Sequence, residues 1–347
     1  MGRIEFEVSR QVCRFLDPTR GFEPVEKVTE IRRDPLTGRM SHILDMGFKP
    51  EKPDVEKIVA EARKDFNPFA PDKREEVTPR FLDEVEGIAG GRLSVGEALV
   101  VPNLFPYDRY SAVTVLSDTD FVPLDGFSED LIVDAFRADL AYLGRVRETD
   151  GEELQHYSAN WNYMPLAGGS VVHPHHQLIA SPVPTNYLRD VETGLARYGG
   201  DYFGDLVRLE ADGERWVGRE GSVSWLTGFA PLGHIDIVGV FEERASIFDL
   251  TDEDIGALAR SLLRIFAYLD EEGFASFNFA LYGLEGAEGF TVHCRLSPRF
   301  LLSNALGASD VNYFEISHTE SLAFFYPEAA ARGLRERFQD SERGGLR

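Results

Sequence analysis

The spacing of apolar residues along the chain gives the same succession of elements twice. AVTVLSDTDF (112 to 121) alternates with the two-residue period of a strand, and SEDLIVDAFRADLAYLGRV (128 to 146) switches to the period of an amphipathic helix with Ser128 as its N-cap. HYSANWNYM (156 to 164) predicts the next strand, and GGSVVHPHHQLIAS (168 to 181) follows it. Later, HIDIVGVFEE (234 to 243) predicts a strand, TDEDIGALARSLLRIFAYLDEEG a helix capped by Thr251, SFNFALYG a strand, and FTVHCRLSPR a last strand. In this register Val172 aligns with Phe290, His173 with Thr291, His175 with His293 and Gln177 with Arg295. One copy keeps a polar set that the other has mostly lost.

Strand, helix, strand, strand units joined by short connections imply an α+β fold of two tandem halves, each an antiparallel sheet with packed helices, the second copy degenerate. Residues 1–197 form the first half with the histidine-bearing strand, and 222–347 form the second. The glycine-punctuated stretch 198–221, with a short helix and a turn at Asp212-Gly213, is the expected linker. Roughly the first 40 residues read as an irregular strand-and-turn prelude, with a turn at DPLTG (34 to 38).

Composition narrows the class. At 347 residues and 43% hydrophobic the chain builds real cores, while a net charge of -23 opposes nucleic acid and anionic membrane as partners. No apolar run reaches the roughly 18 residues of a membrane span, the first residues lack a signal-peptide layout, and Phe6 stands where acylation of Gly2 would want Ser or Thr. Cys13 and Cys294 are far apart and without a partner motif, which suits a reducing cytoplasm.

The chemistry concentrates at 168 to 177. Residues i, i+2 and i+4 of a strand share a face, so His173, His175 and Gln177 point together while His176 points away as a bystander. Upstream, Gly168, Gly169 and Ser170 offer open backbone amides and a hydroxyl suited to phosphate oxygens. A neutral imidazole that attacks phosphorus forms a phosphoramidate and splits a difficult transfer into two displacements. His173 crowded beside His175 favours at most one charge, and Gln177 can donate to a phosphoryl oxygen without titrating. A metal pair is the competing reading, for which no third and fourth ligand is visible, and a polar edge strand is the third.

These residues resemble the signature of the galactose-1-phosphate uridylyltransferase family of the histidine triad superfamily: Asn162, five residues, Gly168, one residue, Ser170, two residues, then His173-Pro-His175-His-Gln177, with every spacing intact. DPLTGRM (34 to 40), VVPNLFPYD (100 to 108), the degenerate FTVHCRLSPR and the closing YFEISHTE and YPEAAARGLRERF are similar to further parts of that family. The resemblance implies two histidine-triad-like halves in a cytoplasmic homodimer and ping-pong transfer through a nucleotide carried on His175. Its substrates would be a nucleotide or nucleotide-sugar donor and a phosphorylated acceptor such as a hexose 1-phosphate. By the same resemblance Gln177, Ser170 and Asn162 hold phosphates with Gly168, Gly169 and His173 beside them, Asn103 lies near the nucleoside, and Glu315 meets sugar hydroxyls.

The departures shape the expectation. The family's metal-binding Cys-Pro-Phe-Cys reads Asn67-Pro68-Phe69-Ala70, a further ligand histidine reads Asp120, and only His173 remains, so no cofactor and no structural zinc are expected. Asp120 is expected to hydrogen-bond His173 instead. The phosphate-gripping arginines have no counterpart in SHILDMGFKP (41 to 50) beyond Lys49, Ser309 and Ser321 replace sugar-contacting Lys and Gln, and His293 lacks its usual His partner. These differences leave open an adenylyltransferase or phosphorylase with phosphate as acceptor, acting on adenylylsulfate, an ADP-sugar or a dinucleoside polyphosphate. A non-catalytic nucleotide- or metal-binding protein is the remaining reading.

Overall fold

In a computed structural model, residues 3–343 are described except 45, 48 and 83–87, so Gly2, Asp45 and Phe48, considered above, lie outside the described residues. The N-terminal stretch is more regular than expected. Strands β1 (Glu7–Asp17) and β2 (Glu23–Arg33) pair antiparallel along their whole length, from Glu7 opposite Arg33 to Asp17 opposite Glu23. Asp17 accepts a hydrogen bond from the Thr19 amide in the connecting turn, and Gly21 closes the turn at φ 65°. Sequence periodicity hides this ribbon because its apolar side chains, Val8, Val12, Phe15, Leu16 and Val28, stay exposed and line no core. Strand β3 (Met40–Ile43) continues the ribbon and pairs in parallel with β14 (Ser321–Ala323).

Ten strands then form one continuous antiparallel sheet. The first half supplies β4 (Leu93–Val95), β5 (Ala98–Pro102), β6 (Tyr110–Val115), β7 (His156–Tyr163) and β8 (His175–Ser181). The second supplies β9 (Trp216–Glu220), β10 (Val223–Thr227), β11 (Ile237–Phe241), β12 (Ser276–Leu284) and β13 (His293–Arg299). The spatial order is β4-β5-β6-β8-β7 followed by β12-β13-β11-β10-β9, the same five-strand arrangement met in mirror order from a seam between β7 and β12. β9 and the helix Tyr202–Glu210 lie within 198–221, so this stretch contributes an outer strand to the sheet. β6 stops at Val115, short of the expected 121, where Ser117 Oγ accepts from the Thr119 amide and turns the chain.

Helix α1 (Val55–Ala62) precedes the sheet; α2 (Glu129–Asp150) and α5 (Asp252–Glu271) cover one of its faces. Ser128 caps α2 through the Leu131 amide at 3.2 Å, and Thr251 and Asp254 cap α5 reciprocally. Between α2 and α5 come α3 (Asn186–Tyr198) and α4 (Tyr202–Glu210), and α6 (Pro327–Arg343) packs on α5 and β9. Trp161, Leu178, Phe279, Leu281, Cys294 and Leu296 point from the strands into this apolar layer and are buried. Cys13 sits exposed on the ribbon and Cys294 is buried in β13, both as free thiols. Among the described residues no helix is long and apolar enough to cross a membrane.

Candidate active site

Strand parity decides what faces the open side of the sheet. Gln177 stands opposite Asn160 of β7 and Val113 of β6, and Asn160 in turn opposite Ala280 of β12, so His175, Gln177, Asn160, Asn162, Asn278 and Arg295 share the face that the helices leave free. His175 Nδ1–H donates to its neighbour's carbonyl, His173 O, at 2.8 Å, which fixes the tautomer and leaves the Nε2 lone pair with no hydrogen-bond partner among the described residues. Burial pushes the ring's pKa down to about 4, with the nearby His176 and His173 acting in the same direction, so the ring is neutral at pH 7. The edge of the cavity comes from Phe69, whose ring centroid lies 5.1 Å from that of His175.

His175 opens on a cavity of about 220 Å³ that Asn103, Ser170 and Gln177 also line, among apolar walls that include Pro68, Phe69, Val101 and Phe105. The approach to it is a strained turn: Met164 has φ 69° and Gly168 φ 88°, and a Cβ on Gly169 would stand 2.9 Å from Asn162 O. The Gly168 and Gly169 amides, expected to be open to phosphate, are instead used inside the turn, donating to Pro165 O at 2.9 Å and to Met164 O at 3.3 Å, so of this trio Ser170 is the one that lines the cavity. Asn103 Oδ1 accepts from the Phe105 amide at 3.0 Å. Asn162 and Glu315 line a second cavity of about 370 Å³ beside the first, with Asn160, His234, Asp236 and Arg299. The two cavities adjoin where Asn160 faces Gln177 across β7 and β8. Asn162 Oδ1 accepts from Asn278 Nδ2 at 2.7 Å, and Glu315 accepts from the Asn312 amide.

His173 does not line either cavity. Its ring is fully buried, Nε2–H donates to Ser117 O at 2.7 Å, and Nδ1 accepts from Asn67 Nδ2 at 3.1 Å. The expected Asp120 contact is absent: Asp120 takes both Nε and Nη2 of Arg63, at 2.8 Å each, because a guanidinium fork satisfies both carboxylate oxygens at once. A structural zinc does not fit this corner, since Ala70 carries no donor, Asp120 is held by Arg63, and both His173 nitrogens are bonded. Among the described residues no three His, Cys, Asp or Glu side chains cluster in a way that could hold a metal.

His176 is no bystander. It turns into the helical layer, almost fully buried, and its Nδ1 meets Asp139 Oδ2 of α2 at 2.7 Å while Thr114 Oγ1 donates to Asp139 Oδ1 at 2.5 Å. The signal was present in the sequence, because Asp139 interrupts the apolar stripe Ala135, Phe136, Ala138, Tyr142 and Leu143. In the second half His293 repeats the backbone bond, Nδ1–H to Thr291 O at 2.9 Å, but its Nε2 accepts from Tyr187 Oη at 2.9 Å. Tyr187 Oη accepts in turn from Arg295, which pairs with the buried Asp236. Tyr202 and Phe203 fill the space in front, leaving about 40 Å³.

No protein-family model matches the sequence. An uncharacterized protein of Archaeoglobus fulgidus is 30% identical over 338 residues, covering 96% of this chain and 98% of its own. Among solved structures, a GalT-like protein of Arabidopsis thaliana is similar at TM-score 0.68 and 17% identity, over 88% of this chain and 98% of that one. An ADP-glucose phosphorylase of Arabidopsis thaliana with bound ADP-glucose is similar at TM-score 0.67 and 17% identity, over 89% and 99%. A uridylyltransferase mutant follows at 0.62, with 17% identity over 89% and 99%.

Proposed function

Because the chain belongs to one family with the Archaeoglobus protein and has the GalT-like fold, we propose that it is a nucleotidyltransferase working through a covalent nucleotidyl-His175. The observation that carries this reading is the His175 ring itself: neutral, with Nδ1–H held by a carbonyl, and with Nε2 free in a cavity that Ser170, Asn103 and Gln177 share. Nε2 attacks the donor's α-phosphorus, the P–N bond forms, and the bond to the bridging oxygen breaks to release the sugar phosphate. The ring keeps its Nδ1 proton throughout, so the positive charge it gains is met by His173 O. An acceptor phosphate oxygen then attacks the same phosphorus, the P–N bond breaks, and the neutral ring returns. Gln177 and Ser170, which line the cavity beside His175, donate to the non-bridging oxygens in both steps.

The nucleoside occupies the cavity with Asn103, and the neighbouring cavity with Asn162 and Glu315 takes the sugar. A uridylyl donor such as a UDP-hexose with a hexose 1-phosphate acceptor is the first assignment. One observation favours adenylyl transfer to phosphate as the second: Lys49, the one Lys or Arg in the segment 41–50, is exposed and lines neither cavity, so this segment brings no cation to a bulkier phosphorylated acceptor. The exposed apolar face of the β1–β2 ribbon supports a homodimer, and two free thiols suit the cytoplasm. The test incubates the protein, without acceptor, with UDP-glucose and ADP-glucose labelled at the α-phosphate. An acid-labile, base-stable label that peptide mapping places on His175 is the expected outcome; absence of label from every donor refutes the reading.

A further inference from the structure

We propose that Asn67 is a positioning residue for the nucleophile. This rests on the nucleotidyl-His175 reading and adds to it a residue that never touches substrate. Asn67 bonds in two directions: its Oδ1 accepts from the Phe69 amide at 3.0 Å, and its Nδ2 donates to His173 Nδ1 at 3.1 Å. The opposite nitrogen of His173 donates to Ser117 O at 2.7 Å, so the ring is pinned from both sides and cannot flip without losing two buried bonds. The backbone of the same residue supplies the carbonyl that receives His175 Nδ1–H. Next to it, Pro174 O accepts from the Leu116 amide at 3.0 Å, which fastens this segment to the end of β6.

The chain of contacts therefore runs from Asn67 through His173 to the orientation of the His175 ring. It also runs through the 67 to 69 turn to the cavity wall, because Phe69 packs against both rings, at 5.9 Å from His173 and 5.1 Å from His175. An uncharged amide thus does the work of a fixed tether at a corner whose residues suit no metal. A nucleophile in a transfer reaction must hold its lone pair in line with the departing oxygen, and a misplacement of about 1 Å can cost roughly 10²-fold in rate. Loosening His173 lets the carbonyl drift and the ring rotate about its Cβ–Cγ bond while Asn103, Ser170 and Gln177, none of which bonds to Asn67 or to the His173 ring, stay in place.

Asn67→Ser separates the two halves of this role, since a serine hydroxyl still accepts from the Phe69 amide but is too short to reach His173. Single-turnover labelling at saturating donor is expected to slow by roughly 10-fold to 10²-fold, with donor Kd within about twofold of the wild type. Asn67→Gln, which keeps the amide on a longer arm, is the second variant and is expected to recover part of the rate. If the serine variant does not fold, the glutamine variant must still show a reduced labelling rate at unchanged Kd. Wild-type labelling rates in both variants, or a change confined to Kd, overturn the proposal. Failure of the wild type to label at all refutes the nucleotidyl-histidine itself and is recognised separately.

Discussion

His175 and His293 open matching strands and make the same backbone bond, yet one faces a cavity of about 220 Å³ and the other a remnant of about 40 Å³. Burial pushes both pKa values down to about 4. Tautomer and protonation are therefore common to the two halves, and what separates them is occupancy of Nε2. Tyr187 hydrogen-bonds it in the second half, and Phe203 stacks on the ring with centroids 4.8 Å apart. Site chemistry in this fold depends on what is left out in front of the histidine as much as on the histidine.

The sharpest way to break the comparison is to remove each ring. His175→Ala is expected to abolish labelling and turnover with the fold intact, whereas His293→Ala leaves the labelling rate within about twofold and lowers Tm. Equal loss of labelling in both variants would mean the halves are not functionally distinct. Two residues further along, Gln177 and Arg295 align but should fail differently. Arg295→Ala strands the buried Asp236 carboxylate and is expected to cost about 3–5 kcal/mol of unfolding free energy in urea titration. Gln177→Ala should leave stability alone and slow kcat by roughly 10²-fold.

The position between them, His176 in one half and Cys294 in the other, is expected to split by stability. His176→Ala leaves the buried Asp139 with Thr114 as its remaining side-chain partner and opens a cavity, and should cost about 3 kcal/mol, against about 1 kcal/mol for Cys294→Ala. Acid should act on both halves together. The unfolded chain binds protons near pH 6.5 that folded His175 and His293 refuse until about pH 4, so stability is present above 6.5 and falls as pH drops through this window. The expected loss is on the order of 1–2 kcal/mol per histidine by pH 5, read as a shift of urea midpoint, with labelling declining only nearer pH 4. The smallest effect belongs to Tyr187→Phe: it frees His293 Nε2 at a cost of about 1 kcal/mol and still yields no label, because no cavity receives a phosphate there.

How far the sequence carries can be judged at these same residues. The alignment of His175 with His293 and Gln177 with Arg295 was legible because strand parity and helix period are local and repeat at matched spacing. The caps at Ser128 and Thr251 were legible for the same reason. The partners of the histidines were not: Asp139 lies 37 residues from His176 and Asn67 lies 106 from His173, separations at which periodicity carries no pairing information. Asp120 was assigned to His173 by alignment, and Arg63, the C-cap of α1, wins it by geometry. The ribbon of residues 7 to 33 reads in the sequence only as an irregular strand-and-turn prelude because the side chains it buries, Glu30 and Arg32, are charged while Val8, Val12, Phe15, Leu16 and Val28 stay exposed.

The seam between β7 and β12 sets a limit on how this molecule can be divided. Eight register pairs, from Tyr163 opposite Phe277 to His156 opposite Leu284, close each half's innermost strand with the other's. Expressed alone, either half would present that strand as a bare ladder of amides and carbonyls, the template on which chains add to one another and precipitate. The half with the stoppered histidine is therefore a lasting splint for the other: its side chains can change residue by residue, but its strand cannot be lost while the sheet stays whole. A truncation that ends between β8 and β9 should accumulate as insoluble protein, and supplying the missing half in the same cell should return it to solution.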